Sequence, residues 1–90
     1  MCRNIKQLFN FEPGVTDEEI HAASLQFVRK ISGFNKPSKA NEEAFNLAVE
    51  QISAISKILM RSLETNAPPK DRLEEATKLK IRSAQRFARN

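Results

Sequence analysis

The sequence predicts an all-α fold, namely a three-helix antiparallel bundle with a short N-terminal helical arm. Three observations support this fold class. Apolar residues recur at steps of three and four along three segments of the chain. Only two of the 90 residues are glycine, and the aromatic residues are six Phe with no Trp or Tyr, so turn and strand signals are weak. A chain this short holds one hydrophobic core, so we expect a single helical domain over residues 1–90.

The arm and helix 1 make up the first third of the chain. Residues 1–15 are predicted to form the arm, whose apolar side chains suit one short helical turn laid on the core: Ile5, Leu8, Phe9 and Phe11. Helix 1 is predicted over residues 16–33. Thr16 and Glu19 have the spacing of a capping box, in which each side chain bonds to the other residue's backbone N–H. Gly33 ends the helix because glycine adopts the left-handed C-cap conformation without a Cβ clash.

Helix 2 is predicted over residues 38–65, with either Ser38 or Asn41 as its cap. It carries two neighbouring apolar stripes, and this width is typical of a central helix that packs on two others. Two consecutive prolines, Pro68 and Pro69, end it because proline lacks a backbone donor and disfavours helical geometry in the residue before it.

Helix 3 is predicted over residues 69–89, entered through Pro69 or capped by Asp71. Its apolar side is broad but weak, because Lys80 interrupts it. Both connections between helices are short, so neighbouring helices should be antiparallel.

The net charge of +4 is confined to the C-terminal segment. Residues 1–69 hold eight basic and eight acidic groups, whereas residues 70–90 hold seven basic and three acidic groups. A field of one sign over a terminal segment favours polyanionic partners such as nucleic acid.

Four cations of helix 3 fall within one arc opposite its apolar side at 100° per residue, and we call them the basic ridge: Lys78, Arg82, Arg86 and Arg89. The functional interpretation is contact with phosphates, with affinity that falls as salt rises. A solvated outer face, with cations favoured near a helix C-terminus, explains the same spacing. No aromatic residue alternates with these cations, so stacking on single-stranded bases is not predicted.

A second candidate anion site surrounds the loop between helices 1 and 2, and we call its residues the loop cluster: Arg29, Lys30, Lys36, Ser38 and Lys39. The free N–H groups and the dipole at a helix N-terminus attract anions, and a serine hydroxyl adds a donor. The glycine spacing of a P-loop is absent. A capped helix junction with solvated lysines is the alternative interpretation.

Catalytic chemistry has little support in this sequence. Cys2 becomes N-terminal if Met1 is removed, which would place a thiol beside an amine, but a nucleophile also needs a base, and His21 is the single histidine. One cysteine and one histidine cannot supply the usual structural zinc site, and no cofactor motif is present. We therefore predict no catalytic residues, no metal and no cofactor. No apolar run approaches the length of a membrane span, and we expect a cytoplasmic protein with no membrane partner.

The leading functional hypothesis is a non-enzymatic binding module that meets nucleic acid or another polyanion through helix 3. A protein-interaction module or homodimer is the first alternative, because the double stripe of helix 2 exceeds what two short helices and an arm can cover. An enzyme based on the Cys2 thiol is the second.

Particular stretches of the chain resemble the bacterial family catalogued as domain of unknown function 2277. The most specific are the opening MCRNI and the stretch QFVRKISG. The segments that carry the resemblance are residues 1–6, 8–13, 16–20, 26–33, 36–38, 40–41 and 67–69. The chain departs from the family pattern at Gly14, where a second proline is expected. The resemblance implies a small, mostly helical bacterial protein and transfers no catalytic residue or ligand.

Overall fold

The computed structural model describes the backbone of residues 5–88 and the side chains of residues 5–82. Three α-helices account for most of it, α1 (Asp17–Ser32), α2 (Glu42–Ser62) and α3 (Arg72–Ala88), with one 3₁₀ turn, Lys39–Asn41, ahead of α2. Two strands of two residues each, β1 (Phe11–Glu12) and β2 (Lys70–Asp71), pair in parallel. The fold is therefore mostly helical, as predicted.

The boundaries of α1 follow the local signals in its sequence. The capping box forms, because the Thr16 hydroxyl accepts from the Glu19 N–H at 3.2 Å and Glu19 Oε1 accepts from the Thr16 N–H at 3.0 Å. Gly33 adopts φ 79° at the C-cap, and its N–H donates to the Arg29 carbonyl. Both features of helix 1 are confirmed.

The start of α2 is one turn later than the earlier of its two predicted caps. Ser38 begins the 3₁₀ turn and Asn41 immediately precedes α2, which ends at Ser62. Asp71 caps α3, because its Oδ1 accepts from the Glu74 N–H at 2.9 Å.

The core lies between α1 and α2, which pack side by side as an antiparallel hairpin. Val28 near the end of α1 packs with Phe45 and Val49 near the start of α2. At the other end, Lys57 of α2 lies 3.8 Å from the carboxylate of Asp17 in α1. Phe45 is 8% exposed and Val49 is 4% exposed, so this seam excludes water.

The predicted helical arm is wrong. Among the described residues before α1, none is helical, and Phe11 and Glu12 form a strand instead. Asn10 has φ 66°, which a right-handed helix does not allow, and its carbonyl accepts from the Lys70 N–H at 2.9 Å. Pairing with β2, far along the chain, replaces the local helical turn.

The antiparallel three-helix bundle is not confirmed. Among the described residues, the contacts of α3 are chiefly with β2, which precedes it, and it is joined to α1 through its first residue, Arg72. On the apolar side of helix 3, Leu73 is 78% exposed and Ile81 is 52% exposed. The molecule measures 47 × 39 × 18 Å.

Candidate functional site

Three members of the basic ridge, Lys78, Arg82 and Arg86, belong to α3, whose described residues contact chiefly β2. Lys78 Nζ lies 3.9 Å from Glu74 Oε1 and 3.7 Å from Glu75 Oε1, whereas the Arg82 side chain is exposed. The Arg86 side chain and the whole of Arg89 lie outside the described residues. The spacing of four between Glu74 and Lys78 is a signal from which sequence reasoning could have found the first ion pair. Such exposed pairs are weak, so Lys78 can exchange them for a phosphate.

The loop cluster combines residues that hold the loop with residues that face solvent. Arg29 Nε donates to the Asn35 carbonyl at 3.0 Å, which fixes the loop against the end of α1. Ser38 Oγ accepts from Asn41 Nδ2 at 2.8 Å and keeps its own proton to donate. Three further members of the cluster are exposed: Lys30, Lys36 and Lys39. The structure therefore assigns Arg29 and Ser38 a local structural role and leaves the lysines in solvent.

Arg72, which sequence reasoning missed, joins the arm, α1 and α3. Its Nη1 donates to Glu19 Oε2 at 2.7 Å and its Nη2 donates to Glu19 Oε1 at 3.0 Å. Its Nε also donates to the Pro13 carbonyl at 2.6 Å, and Nη2 to the Gly14 carbonyl at 3.2 Å. One guanidinium at the start of α3 thus satisfies three separate acceptor residues, and we call this contact the Arg72 junction.

The Glu19 carboxylate is shared between the junction and the capping box of α1. The hydrogen bond from Arg72, supported by the backbone N–H of Thr16, lowers the pKa of Glu19 from 4.5 to about 2. Glu19 is therefore ionised at neutral pH and serves as a fixed structural anion. Because 53 positions separate Glu19 from Arg72, no local pattern in the sequence could have predicted this pair.

Aromatic and amide contacts extend the Arg72 junction toward the two strands. Lys70 Nζ and Arg72 Cζ each lie 5.8 Å from the centre of the Phe11 ring, within the range of cation–π attraction. Asn10 Nδ2 lies 3.4 Å from the Ala67 carbonyl and 3.3 Å from that of Pro68. These contacts fix the point from which α3 leaves the hairpin, and they supply no catalytic group.

An apolar cavity of ≈ 400 Å³ lies between the arm, α1 and the second half of α2. Its apolar lining includes Ile5, Phe9, Ile20, Phe27 and Met60. Among the described residues that line it, the polar groups are an ammonium, an amide and two hydroxyls, with no carboxylate, imidazole or thiol. The cavity is of a size that holds small ligands, but these groups include no acid–base pair for catalysis.

Of the two candidate catalytic side chains, the Cys2 thiol and the His21 imidazole, the structure describes only the imidazole. Cys2 lies outside the described residues, and His21 is exposed on α1. Over residues 5–88, no three His, Cys, Asp or Glu side chains cluster closely enough to hold a metal ion. None of the helices in that part of the chain has both the length and the apolar character that crossing a bilayer requires.

Comparison with known proteins gives one positive result. No curated protein and no solved structure matches the chain. A family model described as "Uncharacterized conserved protein (DUF2277)" matches residues 1–78. The match includes the arm, the hairpin and the Arg72 junction, and it ends before Arg82, Arg86 and Arg89 of the basic ridge. The chain therefore belongs to the DUF2277 family.

Proposed function

We propose that the protein is a non-enzymatic binding module that contacts nucleic acid or another polyanion through the basic ridge on α3. The distribution of charge supports this, because residues 70–90 hold the whole net excess of +4. Acidic groups in this segment stop at Glu75, so every charged side chain in the remainder of the segment is basic, a distribution that favours polyanions.

The observation that carries the proposal is the exposure of α3 along the length over which its side chains are described. The side chains of Lys80 and Arg82 are exposed, and the neighbouring Leu79 and Ile81 are 51% and 52% exposed. A helix that is not packed into its own domain can approach a phosphate backbone without steric obstruction. Contacts of this kind are insensitive to base sequence, because they reach phosphates and not base edges.

The exposed lysines of the loop cluster supply a second, separate contact. They lie at the end of the hairpin where α1 ends and α2 begins, whereas the Arg72 junction lies at the start of α1. A helix of 16 residues is about 24 Å long, so the cluster and the base of α3 are well separated. The two sets of cations can therefore be removed independently.

The test is fluorescence anisotropy with labelled duplex DNA and with RNA over a series of salt concentrations. We expect binding at low salt that weakens steeply as salt rises. The double variant Arg82→Ala/Arg86→Ala should lower the slope of log affinity against log salt by up to about two, since about one counterion is released per phosphate contact. Lys36→Ala/Lys39→Ala measures the contribution of the loop cluster in the same way.

The charge-matched control is Lys6→Ala/Arg61→Ala, which removes two exposed cations outside both sets. The slope should stay at the wild-type value in this control. If the control lowers the slope as much as the ridge variant does, binding reflects net charge alone and the proposed site is wrong. Failure to bind either nucleic acid at low salt contradicts the proposal as a whole.

A further inference from the structure

The outward side of α2 is apolar and uncovered. Four large side chains lie within an arc of about 120° at 100° per residue, beside the face that packs on α1. We call them the outer stripe: Leu47, Ile55, Ile58 and Leu59. They are 50%, 67%, 62% and 49% exposed, respectively. Gln51, which is exposed, lies between Leu47 and the other three. Several large exposed apolar side chains on one side of a helix are typical of a binding site for another protein.

The apolar side of α3 is also uncovered. Leu73 is 78% exposed and Ile81 is 52% exposed, and Ala76 between them is exposed as well. In a bundle formed by one chain, this side would lie on the outer stripe. In the structure, the Arg72 junction instead binds the first turn of α3 to Pro13, Gly14 and Glu19, and the described contacts of α3 are chiefly with β2.

The exposed area is large enough to form a dimer interface. The accessible surface of the chain is 7617 Å², whereas a compact monomer of 10.2 kDa exposes roughly 5,300 Å². The radius of gyration is 16.3 Å, against about 12 Å for a compact domain of this length. The excess of roughly 2,300 Å² per chain is more than twice the roughly 800 Å² that each partner buries in a standard interface.

We propose that two copies of the chain form a symmetric dimer in which α3 of each copy covers the outer stripe of α2 of the other. The second copy is the occupant because each chain carries both complementary parts, an uncovered apolar helix and an uncovered apolar groove, held apart by its own junction. With a two-fold axis between the copies, α3 of each copy contacts the outer stripe of the other, so the same contact forms twice. The dimer completes between copies the three-helix packing that the apolar pattern predicts within one chain.

This inference goes beyond nucleic-acid binding and is compatible with it. Lys78 and Arg82 lie on the side of α3 opposite Leu73, so these two cations of the basic ridge face outward when the apolar side is covered. Lys80 interrupts the apolar side one turn beyond Ala76, and its long side chain has to extend to the edge of the interface to keep its ammonium in water. The dimer therefore exposes two basic ridges, one from each copy.

The first test is the molar mass by light scattering, with sedimentation equilibrium for the dissociation constant. We expect twice the 10.2 kDa of one chain at micromolar concentration. Ile55→Lys should weaken the dimer by about a hundredfold or more, because a symmetric interface loses two buried isoleucines at roughly 1.5–3 kcal/mol each. The matched control is Ile31→Lys, since Ile31 is 66% exposed and Ile55 is 67% exposed, but Ile31 lies outside the outer stripe.

The second test asks which surfaces meet. Copies carrying Ile81→Cys are mixed with copies carrying Ile55→Cys, both in a Cys2→Ser background, and treated with a short bismaleimide. The proposal predicts a cross-link between the two kinds of copy. A monomer at all micromolar concentrations overturns it, and so does an Ile55→Lys variant that dimerises as tightly as the control. Cross-links between two Ile55→Cys copies without the mixed product would overturn the exchange of α3.

Discussion

The α1–α2 hairpin and α3 are built from similar amphipathic patterns, yet one is packed and the other is not. In the hairpin, Val28, Phe45 and Val49 meet across the seam and are 8% exposed or less. In α3, Leu73 is 78% exposed. The difference shows that an apolar stripe determines which side of a helix must be covered, whereas a few long-range polar contacts determine where the helix points. In this chain, the contacts of Arg72 hold the first turn of α3 against the arm and the start of α1.

The sharpest contrast between the two regions is in the cost of truncating an apolar side chain. Phe45→Ala should lower the free energy of unfolding by about 3–5 kcal/mol, because it opens a cavity in the buried seam. Leu73→Ala should change it by less than about 0.5 kcal/mol in dilute solution, where copies are separate. Urea unfolding followed by circular dichroism measures both. A cost for Leu73→Ala close to that for Phe45→Ala would mean that α3 packs within its own chain.

The connection between the two regions should weaken in acid. The pKa of Glu19 is about 2 in the folded chain and 4.5 ordinarily, so its pairing with Arg72 stabilises the fold fully above about pH 4.5. That stabilisation is lost as the pH falls through about 2. The difference in stability between wild type and Glu19→Gln should therefore be largest near neutral pH and nearly vanish at pH 2.

Hydrogen exchange of backbone amides in the arm and in the first turn of α3 also reports the loss of the pairing between Glu19 and Arg72. Glu19→Gln should increase exchange there by on the order of tenfold at neutral pH. Glu18→Gln is the control, since Glu18 lies in the same helical turn and is exposed. Equal behaviour of the two variants would show that the Arg72 junction does not hold α3.

A modest effect is expected at the turn that closes the hairpin. Gly33→Ala should destabilise the protein by about 1 kcal/mol, because residue 33 has φ 79° and a Cβ is strained there even though no atom lies within 4 Å. Gly14→Ala in the arm also meets nothing within 4 Å and has no such backbone restriction. It should be close to neutral in thermal unfolding. A larger cost at Gly14 than at Gly33 would refute this assignment.

Local signals made part of the fold predictable. The Thr16 capping box, the Gly33 C-cap and the Asp71 cap each depend on residues within four positions of one another, and all three form. The family resemblance was recognisable from equally local motifs and is confirmed over residues 1–78.

The features of the structure that the sequence did not predict depend on contacts between distant positions in the chain. The arm pairs as a strand with residues near position 70, and Arg72 reaches back to Glu19, so neither leaves a periodic trace in the sequence. The apolar cavity has no sequence signature either, because its walls come from three separate segments. The predicted bundle packing of helix 3 is not confirmed, and periodicity alone could not settle it because it identifies an apolar side but not the surface that covers it.

The central claim is that the hairpin is stable in one chain, whereas α3 is protected only by a second copy. Hydrogen exchange of backbone amides over a series of protein concentrations tests it directly. The account predicts that protection in α3 rises with concentration while protection in α1 and α2 changes far less. Protection in α3 that equals that of α2 in dilute solution, or that is absent at every concentration, would contradict it.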